Sequence, residues 1–225
     1  QKPNRPKTEP SSTTKVQLPT HNPQFTIHNF SPPPKPANFV GRQKEITHLT
    51  DLLTDPSCRL ITFVGMGGMG KTQLSLAVAN QLAESPSIGF RDGILFVPLA
   101  SVSSGSSIIT AIAKALSLPL SGQADSQQEL LGFLADKAML MVLDNFEQLV
   151  AHANIVSDLL DDVSGLKLLI TCREPLHLAA EWRLDLDGLP TNANEADLPA
   201  AMQLFEQAAK QTQPTFSLTP ENRPT

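Results

Sequence analysis

The chain has 225 residues, 40% hydrophobic and 17% charged with a net charge of −5, enough for one sizeable α/β domain or for one domain and a tail. Nine of its 19 prolines and a local charge of +4 fall in residues 1–38, so the remainder stands at −9, a balance that argues against direct nucleic-acid binding by this segment. No apolar run reaches the ~20 residues of a membrane span, no signal-peptide core opens the chain, and the widely separated Cys58 and Cys172 read as reduced thiols of a cytoplasmic protein.

Residues 1–37 are rich in Pro, Ser, Thr and Asn with isolated apolar residues, which predicts a disordered linker ending in the polyproline stretch 31–36. Ile46, Leu49, Leu52 and Leu53 keep helical spacing over 44–54, and Asp55-Pro56 supplies the stop. Arg59–Val64 reads as a buried strand, and Leu74, Ala77, Val78 and Leu82 then share a helix face.

Between that strand and that helix lies Gly65-Met66-Gly67-Gly68-Met69-Gly70-Lys71-Thr72, which fits G-x-x-x-x-G-K-[ST] at every fixed position and in the required strand–loop–helix context. Glycines let the backbone turn its N–H groups around an anion, and the following helix N-terminus adds a favourable dipole. Lys71 is expected on the terminal phosphates and the Thr72 hydroxyl on the accompanying Mg²⁺. Gly65, Gly67, Gly68, Met69, Gly70, Lys71, Thr72 and Gln73 are the expected nucleotide-binding residues here.

Further along, Gly93–Val97 is predicted as a second strand closed by Pro98, followed by helices over 106–116 and 127–137, the latter opening on the capping box Ser126-x-x-Glu129. Ala138–Leu143 is a continuous apolar run ending at Asp144, the pattern of a parallel strand covered on both faces. A helix over 147–163 and a buried strand over 167–171 come next, with Arg173 just past the strand. Residues 182–186 alternate as a half-exposed strand. A last helix presents Leu198, Ala201, Met202, Phe205 and Ala209 on one face, starting near Asp197 so that Pro199 lies in its first turn. Strands alternating with helices predict a three-layer α/β sandwich of the P-loop NTPase class, with a central, mostly parallel five-stranded sheet and ligands beyond the strand carboxyl ends.

Three strands thus end in chemistry a nucleotide enzyme uses. Asp144, costly to bury unpaired, is expected to hold Mg²⁺ with Thr72. Asn145 follows it, so no adjacent second carboxylate exists; Glu147 is the nearest candidate to activate water, and is equally readable as a first-turn acid complementing a helix dipole. Arg173 could contact a γ-phosphate and report its presence, and is otherwise readable as a solvated arginine at a strand end. The five histidines show no metal-ligand spacing.

Phe39-Val-Gly-Arg-Gln-Lys-Glu45, the phosphate loop, Leu140–Leu149 and Leu169–Leu176 occur in an order and spacing that resembles the NB-ARC or AP-ATPase family of STAND-class signalling ATPases, and the bacterial multidomain transcriptional regulators among them. The resemblance covers about residues 36–210. It implies that Val40 and Arg42 contact adenine, that Asp144 is the magnesium acid and that Arg173 is the sensor arginine. It also implies a sheet with the phosphate-loop strand central and the sensor strand between it and the acid-bearing strand. Gln43 replaces a common Glu, and Cys172 stands where Ser is frequent. Family members continue into a small helical domain and a winged helix; this chain ends at Thr225 before either, so residues 212–225 are expected to form a mobile tail after a domain spanning 38–211.

The expected function is an ATP- and ADP-binding signalling module with slow hydrolysis and protein partners reached through flanking domains. The alternatives are a noncatalytic ADP-binding fragment that docks a partner, and a plain ATPase or small-molecule kinase. A GTPase is disfavoured because no N-K-x-D or T-K-x-D sequence occurs.

Overall fold

In the computed structural model, residues 33–37, 39–84, 89–122, 126–189 and 198–219 are described. The elements, in chain order, are α1 Gln43–Thr54, β1 Leu60–Val64, α2 Lys71–Ala83, β2 Ile94–Pro98, α3 Gly105–Ala115, α4 Ser126–Leu134, β3 Met139–Asp144, α5 Asn154–Asp162, β4 Leu166–Cys172, β5 Glu181–Asp185 and α6 Ala200–Thr212. The five strands form one parallel sheet in the order β2-β3-β4-β1-β5. The strand bearing Arg173 at its end lies between the phosphate-loop strand and the Asp144 strand, as the resemblance implied. It is β4, however, that occupies the middle of the sheet, with β1 one place off centre.

Alternation along the strands divides the core between two faces. Ile61, Phe63, Leu140, Val142 and Leu169 pack under α1 and α2, whereas Leu60, Met139, Met141, Leu143, Leu168 and Ile170 pack under α3, α4 and α5. All residues of β1 and β3 are buried. That is why they read as unbroken apolar runs.

Several boundaries differ from expectation for local reasons. The helix expected from Glu147 starts at Asn154 and is preceded by two 3-10 turns, Phe146–Gln148 and Val150–His152. Asn145 takes a left-handed conformation (φ 66°), which turns the chain sharply after β3 and drives Phe146 into the core. The capping box at Ser126 is not formed: Ser126 is already helical, and the Glu129 carboxylate accepts from both the backbone N–H (2.9 Å) and the hydroxyl of Ser121. α6 begins at Ala200, with Pro199 as its N-cap in an extended conformation, outside rather than inside the first turn. α6 has no buried residue, and Phe205 is 56% exposed.

Residues 33–37, the described end of the segment expected to be a linker, lie against α2. Pro33 is buried, Asn80 Nδ2 donates to the Pro34 carbonyl (3.0 Å), and the Ala37 N–H donates to Gln73 Oε1 (2.8 Å). The rest of that segment falls outside the described residues. After α6, Phe216 returns edge-on to Phe205, ring centroids 5.9 Å apart. Cys58 and Cys172 are free and buried, and burial raises both thiol pKa values. No described helix is long and apolar enough to cross a membrane.

Candidate functional site

The carboxyl ends of β1, β3 and β4 bring the candidate residues together. The loop from Gly65 to Gly70 leaves β1 through a contact only glycine allows: a Cβ on Gly65 would lie 2.9 Å from the Leu186 carbonyl oxygen. Gly68 and Gly70 have φ of 82° and 84°, positive values that side chains resist, and they curl the loop into the first turn of α2. Lys71 folds back across this loop, its Nζ donating to the carbonyls of Gly65 (2.6 Å) and Met66 (3.0 Å). Its charge is therefore held against the start of the loop.

Asp144, 7% exposed, sits at the end of β3 beside the first turn of α2. Its Oδ1 accepts from Thr72 Oγ1 (2.8 Å) and from Thr171 Oγ1 (2.7 Å), while Thr171 Oγ1 accepts from the Asn145 N–H (2.9 Å). Two oxygens 2.8 Å apart match adjacent vertices of an octahedron with metal–oxygen distances of about 2.1 Å. Thr72 and Asp144 could therefore hold one Mg²⁺ together with phosphate oxygens and water. Among the described residues no group of three His, Cys, Asp or Glu could hold a metal.

Above this corner Arg173 Nε donates to Glu147 Oε1 (3.2 Å), and the guanidinium overhangs the loop, 3.8 Å from where a Cβ on Gly67 would stand. Arg173 is 66% exposed and Glu147 22%, and Glu147 Oε2 is buried with no hydrogen-bond partner. The turn at Asn145 puts Glu147 on a 3-10 turn facing β4, where Arg173 finds it, instead of on the first turn of a longer helix.

A cavity of about 300 Å³ continues from the phosphate loop, lined by Phe39, Val40, Arg42, Met69, Gln73, Leu189 and their neighbours. Val40, Arg42, Met69 and Gln73 all line this cavity. Arg42 spends its guanidinium on protein acceptors: Nη2 donates to the Met69 carbonyl (3.0 Å) and the Asp187 carbonyl (2.6 Å), and Nη1 to Glu45 Oε1 (3.3 Å).

Sequence reasoning missed two contributors. Thr171 was readable, because a hydroxyl in the buried run Leu168–Cys172 requires a partner. The far wall of the cavity, Gly188, Leu189, Ala201 and Leu204, gave no signal, since it joins the end of β5 to α6 across a span with no motif.

A parallel sheet of this order, with a phosphate loop after β1 and an acid at the end of β3, defines a P-loop NTPase domain. The chain belongs to the NB-ARC domain family, whose model matches residues 42–179. A Mycobacterium tuberculosis protein whose name places it among HTH-type transcriptional regulators is 34% identical over 73% of this chain and 17% of its own length. An uncharacterized protein of the same organism is 32% identical over 80% of this chain and 43% of its own. The chain thus spans less than half the length of these relatives. Among solved structures, the Aeropyrum pernix ORC1 protein in complex with DNA is similar at TM-score 0.59 and 15% identity, over 77% of this chain and 50% of that one, a likeness of fold.

Proposed function

We propose that this chain is the nucleotide-operated module of a regulatory ATPase, binding ATP and ADP with Mg²⁺ and hydrolysing ATP slowly. The observation that carries the reading is the triad of oxygens from Thr72, Thr171 and Asp144 beside the phosphate loop, with Lys71 held over it. Thr72 and Asp144 would hold a Mg²⁺, which would supply positive charge against the terminal phosphates. Lys71 Nζ would exchange its two loop carbonyls for phosphate oxygens. Arg173 would turn from Glu147 Oε1 to a γ-phosphate oxygen, leaving Glu147 to accept a proton from the attacking water. Glu147 is tied to Arg173 beforehand, which supports slow turnover.

The cavity walled by Phe39 and Val40 would hold adenine. The likeness to an HTH-type regulator supports a role in transcription control by a longer protein, its partners reached outside the segment described here. DNA, in the ORC1 structure, belongs to that protein.

Calorimetry with ADP and GDP, with and without Mg²⁺, tests the reading. ADP should bind more tightly, and ATP affinity should rise with Mg²⁺. Equal affinities for the two bases would count against an adenine site. Glu147→Gln should leave ATP binding unchanged and lower phosphate release by about a hundredfold or more; hydrolysis at the parent rate would remove Glu147 from the reaction.

A further inference from the structure

We infer that Arg42 is a positioning residue for the phosphate cradle, acting through the Met69–Gly70 peptide, and that its guanidinium does not read the base. The inference rests on the nucleotide-binding reading above and assigns a different task to one of its residues. The family resemblance places Arg42 on adenine. In the structure its side chain is only 6% exposed and is engaged by three protein acceptors.

One of those acceptors lies inside the phosphate loop. Arg42 Nη2 holds the Met69 carbonyl at 3.0 Å. In a trans peptide the C=O and the following N–H point in opposite directions, and the chain has no cis peptide bond among the described residues. Fixing the Met69 carbonyl on Arg42 therefore aims the Gly70 N–H to the opposite side of the same plane, away from the Arg42 guanidinium. Gly70, like Gly68, has a positive φ and nothing within 4 Å of where its Cβ would be, so side-chain packing does not hold it; its own carbonyl is fixed by the Leu74 N–H (2.9 Å), and the Arg42 bond fixes the peptide on its other side. Among the described residues, the N–H groups of Gly67, Gly68 and Gly70 donate to no protein acceptor, so they remain for an anion.

The same nitrogen holds the Asp187 carbonyl at 2.6 Å, in the segment that leads from β5 towards α6. A planar guanidinium can reach these acceptors and Glu45 at once, whereas an ammonium on a flexible stem cannot reproduce the fork. Arg42 itself stands in the left-handed region (φ 60°, ψ 25°) directly after Gly41 (φ 74°), a conformation unusual for arginine, and it aims the side chain back across the loop.

The two assignments differ in what they do to a ligand with no base. Binding of inorganic pyrophosphate and of ADP, measured by displacement of a fluorescent ADP analogue, should weaken by the same factor of about tenfold in Arg42→Ala, because both ligands use the cradle. Arg42→Lys keeps the charge and loses the fork, and should show most of the same loss for both ligands. A variant whose ADP binding falls while pyrophosphate binding stays at the parent value would put Arg42 on the base and overturn the inference. So would Arg42→Lys binding pyrophosphate like the parent, which would reduce the role to net charge. Where Arg42→Ala fails to fold, as judged by its melting transition, Arg42→Lys carries the test alone. A parent chain that binds neither ligand would remove the nucleotide reading and this inference with it, whereas parent binding with unaltered variants removes the inference only.

Discussion

The two halves of the candidate site are built differently. The phosphate half is made from the ends of β1, β3 and β4, whose residues are almost all buried, and the side chains of Thr72, Thr171 and Asp144 there are already paired with one another. The base half is made from Ala37, Phe39, Val40 and Arg42, from Gly188 and Leu189, and from α6, an element with no buried residue. Rigid, interlocked parts thus hold the group with the most charge, where a displacement of a fraction of an ångström costs most. Lightly attached parts hold the group that needs only apolar contact and shape.

This contrast can be broken in order of expected effect. Lys71→Ala should weaken ADP by about a hundredfold, because a charged donor to phosphate is lost, while the melting temperature without ligand stays at the parent value. An unchanged ADP-induced thermal shift would remove the phosphate-loop assignment. Asp144→Asn should abolish the gain in ATP affinity on adding Mg²⁺, read by calorimetry against an EDTA control; a persisting gain would place the cation elsewhere. Thr171→Val, nearly isosteric, removes the donor that orients Asp144 and should raise the Mg²⁺ concentration needed for half-maximal ATP binding by about tenfold. A parent-like Mg²⁺ titration would show that Thr171 serves only the fold. Leu204→Ala on α6 should weaken ADP by about threefold, through lost apolar area, without changing pyrophosphate binding. A larger loss, or one shared with pyrophosphate, would mean that the base half is as tightly built as the phosphate half.

The same contrast explains what could be read in advance. The phosphate loop, Asp144 and Arg173 stand at strand ends whose apolar runs are unambiguous, and the chemistry of anion and cation binding restricts which residue types can stand there. Thr171 obeys the same logic, one residue from the end of β4. Glu147 was legible as a candidate, but its turn was not, because a left-handed Asn145 carries no periodic signal and the apolar stripe through Leu149, Ala153 and Val156 suits a helix equally well. Arg42 was legible only as part of a pattern. Besides Glu45, its partners are backbone carbonyls 27 and 145 residues away, and no side-chain identity announces those two.

The sheet also has two borders, β2 and β5, each paired on one side only. Unsatisfied backbone groups along such borders are templates for joining further strands, and they make isolated sheet proteins prone to stacking edge to edge. β2 ends in Pro98, which has no N–H to offer a newcomer. β5 alternates charged residues, Glu181, Arg183 and Asp185, with Arg183 and Asp185 paired across its surface. A strand arriving there would have to strip water from those charges before it could bond. Trp182 between them is an exposed apolar residue on that strand. The domain therefore carries its own protection against aggregation at both borders, independently of anything that covers it in a longer protein.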